Sequence, residues 1–417
     1  MGFGLMRSHL ALDRIMAAFD RRLDPTSAAP LAVGFSGGGD SLALLRLTLD
    51  WASAQGRSVL SLTVDHQLQP ASAVWTRDAV AKAQALGADA RSLTWTAAKP
   101  ATGLSAAARR ARHALLAEAA RAAGAKVLLL GHTADDLAEA AAMRAEGSTV
   151  SDPRDWSPSP VWPEGRGVML LRPLLGERRA DLRAWLSGQG ETWLDDPAND
   201  DPRSARARAR HAGVSLVDTP PAEPRSPPIF EGSPYGVIQL RRDAAAAHLA
   251  AACLCAAGTE RPPRGERLER LVGRLRSGEV FTATLAGARI ESVGDVVRVC
   301  RDAGETARGG LAALSLSPGE TGVWDGRYEI TAGEAAITVR PLKGLAAGLP
   351  RDQREALKAV PAAARPALPA VVDQAGAATC PVLVGPSLAM TNIECVGPLF
   401  LDRFRAATGL IDQECVT

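Results

Sequence analysis

Between residues 31 and 144, short apolar runs alternate with longer stretches whose apolar positions recur three and four apart. The runs at 31–35, 58–64, 91–95 and 126–130 predict strands, and the stretches at 42–54, 72–86, 105–123 and 135–144 predict helices. This rhythm is that of a doubly wound parallel sheet, an α/β fold in which each strand leads into a covering helix. Ligands of such sheets sit beyond the carboxyl ends of the strands, so the chemistry is expected in the loops after Phe35, Val64 and Leu130.

The pattern then changes. Residues 147–168, rich in Ser, Pro and Trp, read as a long surface loop, and a helix with Leu182, Trp185 and Leu186 on one face follows. Prolines 220, 221, 224, 227 and 228 read as a stiff linker and a domain boundary. Beyond it, Leu268, Leu271, Val272 and Leu275 share one helical face, and Arg267, Arg270 and Arg274 another. A hairpin-like pair at 281–285 and 296–300 comes next; after Gly309 and Gly310, strand-like text returns at 323–330 and 335–342. The expected organisation is a first domain over 1–218, a helical and hairpin domain over 229–308 and a small β-containing domain over 311–417, the last two forming smaller α+β modules.

At 417 residues the chain is too long for a single small module, and 46% hydrophobic residues with 39 Gly and 28 Pro is a composition that folds. No apolar run is long enough to span a membrane and the N-terminus reads as an amphipathic helix, so a soluble, cytoplasmic protein is expected. All six cysteines lie from Cys253 onward without a paired C-x-x-C spacing, which disfavours disulfides, zinc ribbons and a cysteine nucleophile in the first half. Net charge is +2 and says little about a polyanionic partner. Only five of the 48 basic residues are lysine, and arginine is the residue that forks onto phosphate and stacks on bases.

The sharpest motif is Ser36-Gly37-Gly38-Gly39-Asp40-Ser41, between a predicted strand and a predicted helix. Glycines let the backbone approach a ligand closely, and their N–H groups with the helix start form an anion cradle suited to pyrophosphate. A tight turn capped by Asp40 or Ser41 is the plainer reading, but hydroxyls at both ends and a carboxylate beside the glycines favour phosphate. No Gly-Lys-Ser/Thr follows, which excludes the Walker loop, and the spacing does not fit the dinucleotide fingerprint.

Further on, His132 ends the fourth predicted strand, and Asp135, Asp136 and Glu139 open the next helix, with Asp136 and Glu139 on one face. Two such carboxylates suit Mg²⁺ or a substrate ammonium, whereas an ordinary helix start also favours acids. Arg109 and Arg112 share a helical face, either a phosphate clamp or a solvated surface, and Asp65-His66 closes the second strand where a nucleoside would lie.

The hexapeptide resembles the signature of the PP-loop ATP pyrophosphatase superfamily, which splits ATP between its α and β phosphates. Val64-Asp65-His66, Ala108-Arg109-x-Ala111-Arg112, Gly131-His132-Thr133-Ala134-Asp135-Asp136 with Glu139, Arg172-Pro173-Leu174-Leu175 and Trp193-Leu194-Asp195-Asp196-Pro197-Ala198-Asn199 then resemble, in order, the tRNA(Ile)-lysidine synthetase family over residues 28–212. His113 stands where that family usually has Tyr, and Leu137 and Ala140 where it has Gln and Thr.

The resemblance implies a carbon–nitrogen ligase. ATP adenylates C2 of the wobble cytidine in the isoleucine tRNA with a CAU anticodon, and the ε-amine of L-lysine displaces AMP to give lysidine. It implies that Ser36, Gly37, Gly38, Gly39, Asp40, Ser41, Asp65 and His66 hold ATP, and that Asp40 holds Mg²⁺ with Asp135 or Asp136, Asp136 being preferred. It gives Arg109 and Arg112 to the phosphates, Asp136 and Glu139 to the lysine ammonium, and His132 and Asp135 to the catalytic group. The acid-free run Arg203, Arg206, Arg208, Arg210, His211 is expected on tRNA phosphates or on a solvated face. A homodimer is compatible with the sequence. The rivals are a tRNA thiolase, which would want cysteine, a ligase for a small metabolite, and a non-catalytic RNA-binding relative.

Overall fold

A computed structural model describes residues 3–148, 153–194, 228–383 and 393–415. They divide into two compact units, Met1–Arg225 together with Ile411–Thr417, and Ser226–Leu410.

The first unit runs α1 (Phe3–Arg22), β1 (Leu31–Gly34), α2 (Gly39–Ala54), β2 (Val59–Asp65), α3 (Ser72–Ala85), β3 (Asp89–Thr94), α4 (Leu104–Ala122), β4 (Val127–Leu130), α5 (Ala134–Ala145), β5 (Trp156–Pro158), β6 (Met169–Leu171) and α6 (Arg179–Gly188). The strands form one sheet in the order β3-β2-β1-β4-β6-β5, parallel throughout except for β5 against β6. Ala32, Leu60, Leu62, Leu128 and Leu130 gather with Leu116 and Ala120 of α4 in one cluster. Leu31, Val33 and Leu129, pointing to the opposite face, are equally buried. Strands covered on both faces favour apolar residues at every position, which is why β1 and β4 stood out in the sequence as unbroken runs. The order reverses between β1 and β4, and Gly34 lies opposite both Leu62 and Leu130. The loops that leave β1, β2 and β4 therefore emerge side by side at the switch point, where such sheets bind ligands.

The stretch expected as a surface loop at 147–168 contributes an edge strand instead. Trp156 and Trp162 are buried, and the Trp156 indole donates to the Ile411 carbonyl at 2.9 Å. A strand of three residues is too short to show a period, and Pro158 is tolerated because the strand lies at the sheet edge. The last residues of the chain are part of this same unit. Glu414 accepts from both terminal nitrogens of Arg57, at 2.7 and 2.8 Å, with the two side chains 0% and 1% exposed.

The second unit opens with β7 (Phe230–Ser233), β8 (Val237–Arg241), α7 (Ala246–Ala257), α8 (Glu266–Arg276), β9 (Phe281–Leu285), β10 (Ala288–Val293) and β11 (Val296–Arg301). Its first sheet is antiparallel, β7-β8-β11-β10-β9, so the two segments expected to pair, 281–285 and 296–300, are held apart by β10. That strand is hidden in the sequence by Arg289 and Glu291 at alternate positions and by the buried Ser292 on the other face. The chain continues through β12 (Leu314–Leu316), β13 (Thr321–Trp324), β14 (Tyr328–Ala332), β15 (Ile337–Pro341), α9 (Arg351–Ala359), β16 (Pro369–Val372), β17 (Ala378–Thr379), β18 (Ile393–Pro398) and α10 (Leu399–Thr408). These build sheets β12-β15-β16-β17 and β13-β14-β18. One core cluster joins Ile238, Leu249 and Leu271 to Trp324, Tyr328, Phe400 and Phe404. Packing thus runs on across 309–310, where the sequence suggested a break, and residues 411–417 belong with the first unit. The Pro-rich stretch at 220–227 and the basic run from Arg203 to His211 lie outside the described residues.

Candidate active site

The loop after β1 is closed by its own hydroxyls. Ser41 Oγ donates to the Gly38 carbonyl at 2.9 Å, accepts from the Ser36 amide at 3.2 Å and lies 3.1 Å from Ser36 Oγ. Gly37 has φ +84°, and a Cβ there would stand 2.7 Å from Leu194 Cδ1, so both conformation and space demand glycine. Leu194 is held there by its amide, which donates to the Gly37 carbonyl at 2.9 Å. Gly38, the residue before α2, offers no side-chain cap, which leaves the first amides of a 16-residue helix directed at whatever anion the loop receives. Asp195 to Asn199, the end of the last sequence motif, lie outside the described residues.

Asp40 sits in the first turn of α2. Gly131, at the end of β4, comes so close that a Cβ on it would be 3.0 Å from the Asp40 carbonyl oxygen. This contact brings the start of α5 beside Asp40. Thr133 and Asp136 form a capping box: Asp136 Oδ2 accepts from the Thr133 amide at 2.8 Å and from its hydroxyl at 3.1 Å. Asp135 turns elsewhere, its Oδ2 accepting from the Arg179 amide at 2.8 Å, and so ties the start of α6 to α5.

Arg179, which the sequence reading passed over, is the centre of this acidic group. Its Nε donates to Asp40 Oδ2 at 2.7 Å, its Nη1 to Glu139 Oε1 at 3.2 Å, and its Nη2 lies 3.6 Å from Asp136 Oδ2. Asp136 and Glu139 are both buried. Burial pushes the Asp40 carboxyl above its ordinary value, a push that the Arg179 hydrogen bond and charge only partly oppose and that Asp136 reinforces. For Arg179, burial works against the charged form, but Asp40, Asp136 and Glu139 outweigh it and its pKa rises. Asp40 Oδ1 is buried and has no hydrogen-bond partner among the described residues. Asp40, Asp136 and Glu139 thus gather on the Arg179 guanidinium, the charge of Arg183 also reaches Asp40, and one Asp40 oxygen is left without a hydrogen bond among the described residues. Among the described residues no three His, Cys, Asp or Glu side chains form a ready metal cage. The carboxylates of Asp40 and Asp136 are of the oxygen type that a hard divalent ion takes.

The nucleoside side is a cavity of about 300 Å³ lined by Ser36, Asp65, His66, Trp75, Arg112 and Leu116 among others. Asp65 Oδ1 accepts from the amide of Gln67, which holds φ +53°. His66 meets Trp95 edge-on with centroids 6.3 Å apart. Burial lowers the His66 pKa, Arg112 adds to this, and Asp65 opposes it. Arg109 is exposed and stands nearer a second cationic group. There, burial followed by the charges of Arg112, Arg109, Arg172 and His132 drives the His113 pKa well down. Arg172 is brought to about 10 by burial and by Arg109, and donates to the Arg154 carbonyl at 2.8 Å and to Ser157 Oγ at 3.1 Å, so it ties the chain to β5. The predicted residues thus separate into the loop Ser36–Ser41 with the cavity wall of Asp65, His66 and Arg112, a cationic group about His113 that includes Arg109 and His132, and an acidic group of Asp40, Asp136 and Glu139 on the Arg179 side chain, with Asp135 on the Arg179 amide. Arg183, which no motif marked, and Trp193, which opens the last sequence motif, stack with 5.7 Å from guanidinium to ring, and a Cβ on Gly39 would stand 3.4 Å from each.

A parallel sheet with a phosphate-cradling turn at its switch point and an acidic group beside it defines a PP-loop nucleotide-dependent enzyme, and residues 12–215 match the PP-loop domain family. The chain is 61% identical over 409 residues to the tRNA(Ile)-lysidine synthase of Caulobacter vibrioides, covering 98% of this chain and 100% of that one. The tRNA(Ile)-lysidine synthase of Hyphomonas neptunium is 39% identical over 69% of this chain and 84% of its own, and that of Rhizobium meliloti 34% identical over 74% of each. The chain belongs to the tRNA(Ile)-lysidine synthase family.

Proposed function

We propose that this protein joins L-lysine to C2 of the wobble cytidine in the isoleucine tRNA with a CAU anticodon, at the expense of ATP. The observation that carries the reading is the 61% identity with a lysidine synthase along the whole chain, which extends beyond the nucleotide domain into the second unit. A thiolase reading gains nothing from the four buried cysteines of the second unit, and Cys415, which is exposed, is the one described cysteine of the first. Cys253, Cys255, Cys300 and Cys380 are buried in the second unit, and burial pushes their thiols up to about 12.

In the first half-reaction the cytidine O2 attacks the α-phosphate and pyrophosphate leaves. The amides of Gly37, Gly38 and Gly39 and the start of α2 face the negative charge that grows on the leaving group, where preorganised donors lower the barrier most. Arg112, on the cavity wall with Asp65 and His66, faces the nucleotide from the other side. Asp40 and Asp136 are the residues that would hold Mg²⁺, which would neutralise charge on the phosphates.

In the second half-reaction the lysine ammonium first gives up a proton to solvent, the freed lone pair forms the bond to C2, AMP departs with the former O2, and a second proton leaves the nitrogen to solvent. A free lysine side chain is an ammonium at neutral pH. Glu139 and Asp136, on one face of α5, provide a buried acidic place to hold it and weaken its hold on water. The phosphate loop, built for anions, offers none. The exposed Arg267 and Arg270 of α8 and the basic run at 203–211 are candidates for tRNA phosphate contact.

The test is AMP release from ATP with purified protein. It is expected only when both tRNA and lysine are present. AMP formed equally well without either one would overturn the assignment.

A further inference from the structure

The carboxylates assigned to the incoming cations already have a tenant. One guanidinium spans Asp40 from α2 and Glu139 and Asp136 from α5, at 2.7, 3.2 and 3.6 Å, with its side chain 17% exposed and the Glu139 side chain 4% exposed. An ammonium held between Asp136 and Glu139 competes with Arg179 for the same oxygens and the same charge. The backbone of Arg179 is fixed by Asp135, so what can move is the long side chain rather than the helix start.

We infer that Arg179 is the resident counter-ion of the lysine site, holding it closed in the nucleotide-free protein and releasing Glu139 when ATP brings phosphate oxygens to the adjoining loop. The inference rests on the proposed lysidine synthase function and adds an order of binding to it, nucleotide first and lysine second. Its physical basis is exchange of like for like. The guanidinium leaves carboxylates for phosphate, its other strong partner, with which it also makes forked hydrogen bonds. Asp40, four residues from Ser36, joins the two partner sets: it accepts from Arg179 Nε, and its orphaned Oδ1 remains for a cation that arrives with the phosphates. Lysine then enters an acidic slot from which the Arg179 guanidinium has moved away. The coupling acts in both directions, since a nucleotide that tightens lysine must itself be tightened by lysine to the same extent.

The test is calorimetric titration of L-lysine into the full-length protein, alone and with Mg²⁺ and an ATP analogue that carries a methylene between the α and β phosphates. In the wild type the analogue is expected to tighten lysine about tenfold or more, within the usual range of coupling between sites. In Arg179→Gln, lysine is expected to bind the nucleotide-free protein about tenfold more tightly than it binds the wild type, and the analogue to change this less than about twofold. Arg179→Lys keeps the charge without the fork and is expected to retain part of the coupling; it carries the test should the glutamine variant fail to fold. The inference is overturned if wild-type lysine affinity is the same with and without the analogue, or if removal of the guanidinium weakens lysine in the nucleotide-free state. Lysidine formation by the wild type, measured alongside, separates the two claims. A protein that makes lysidine without this coupling refutes only the role of Arg179, and one that makes none refutes the function on which it rests.

Discussion

Glu414→Ala removes the carboxylate that the end of the chain buries in the first unit. In the native structure Glu414 accepts from Arg57 at 2.7 and 2.8 Å and from the Asp24 amide at 3.1 Å. The variant leaves a guanidinium that is 1% exposed without its counter-charge. Breaking a buried pair by removing one partner costs about 3–5 kcal/mol. Arg57 keeps the carbonyls of Ala29 and Asp24, at 2.6 and 2.9 Å, so the lower end, about 3 kcal/mol, applies. For a unit of this size that corresponds to a fall of about 6–12 °C in its melting temperature. The assay is thermal unfolding followed by tryptophan fluorescence, because Trp51 and Trp156 are buried in this unit and Trp156 bonds to Ile411. Replacing both partners, Arg57→Met with Glu414→Leu, should recover most of the loss, since no charge is then left unpaired. A fall of less than about 1 °C in the single variant, or no recovery in the double one, would refute the reasoning. The same argument makes a chain that ends at Pro224 less stable than its nucleotide fold suggests, for it lacks Glu414.

Glu139→Gln removes one charged hydrogen-bonding partner worth about 1.5–3 kcal/mol, so half-saturation by lysine should rise between about tenfold and a hundredfold while that by ATP hardly moves; steady-state titration of each substrate checks it. Asp40→Asn should lower turnover at least about a hundredfold with the fold unchanged by circular dichroism, and wild-type turnover would remove Asp40 from the chemistry. Gly37→Ala puts a Cβ at φ +84° against Leu194 and should weaken ATP binding, as read by nucleotide titration, far more than Gly56→Ala, which also has positive φ but open space around it. His113 has a folded pKa below its ordinary 6.5, so its contribution is unchanged above that value, and stability is lost as the pH falls through 6.5 toward the lower folded value. Melting temperature should therefore drop between pH 7.5 and 5.5 less steeply in His113→Phe than in the wild type, and parallel curves would rule this out.

Most of the first unit was legible in the sequence because its inner parallel strands, β1, β2 and β4, are buried on both faces and its turns carry obligate residues. The phosphate turn, the α5 carboxylates and the loops that present them could be placed for the same reason. Arg179 escaped because it looks like one more arginine in an arginine-rich chain. A signal was nonetheless present: a basic residue at the first position of a helix faces the positive end of the helix dipole and calls for a carboxylate nearby. The Glu414–Arg57 pair gave no signal, being 357 residues apart in sequence. The edge strand Trp156–Pro158 is too short for periodicity to show, and in β10 the polar Arg289 and Glu291 broke the apolar text while the buried Ser292 gave no sign of facing the core.

The central claim is tested most directly by mass analysis of nucleosides from an isoleucine tRNA bearing the CAU anticodon, after incubation with the protein, ATP, Mg²⁺ and isotopically labelled lysine. Lysidine synthesis predicts loss of one cytidine and the appearance of a labelled nucleoside heavier by one lysine less one water, at the wobble position alone. An unmodified tRNA under conditions where ATP is bound, or a modified base without the lysine label, would contradict it.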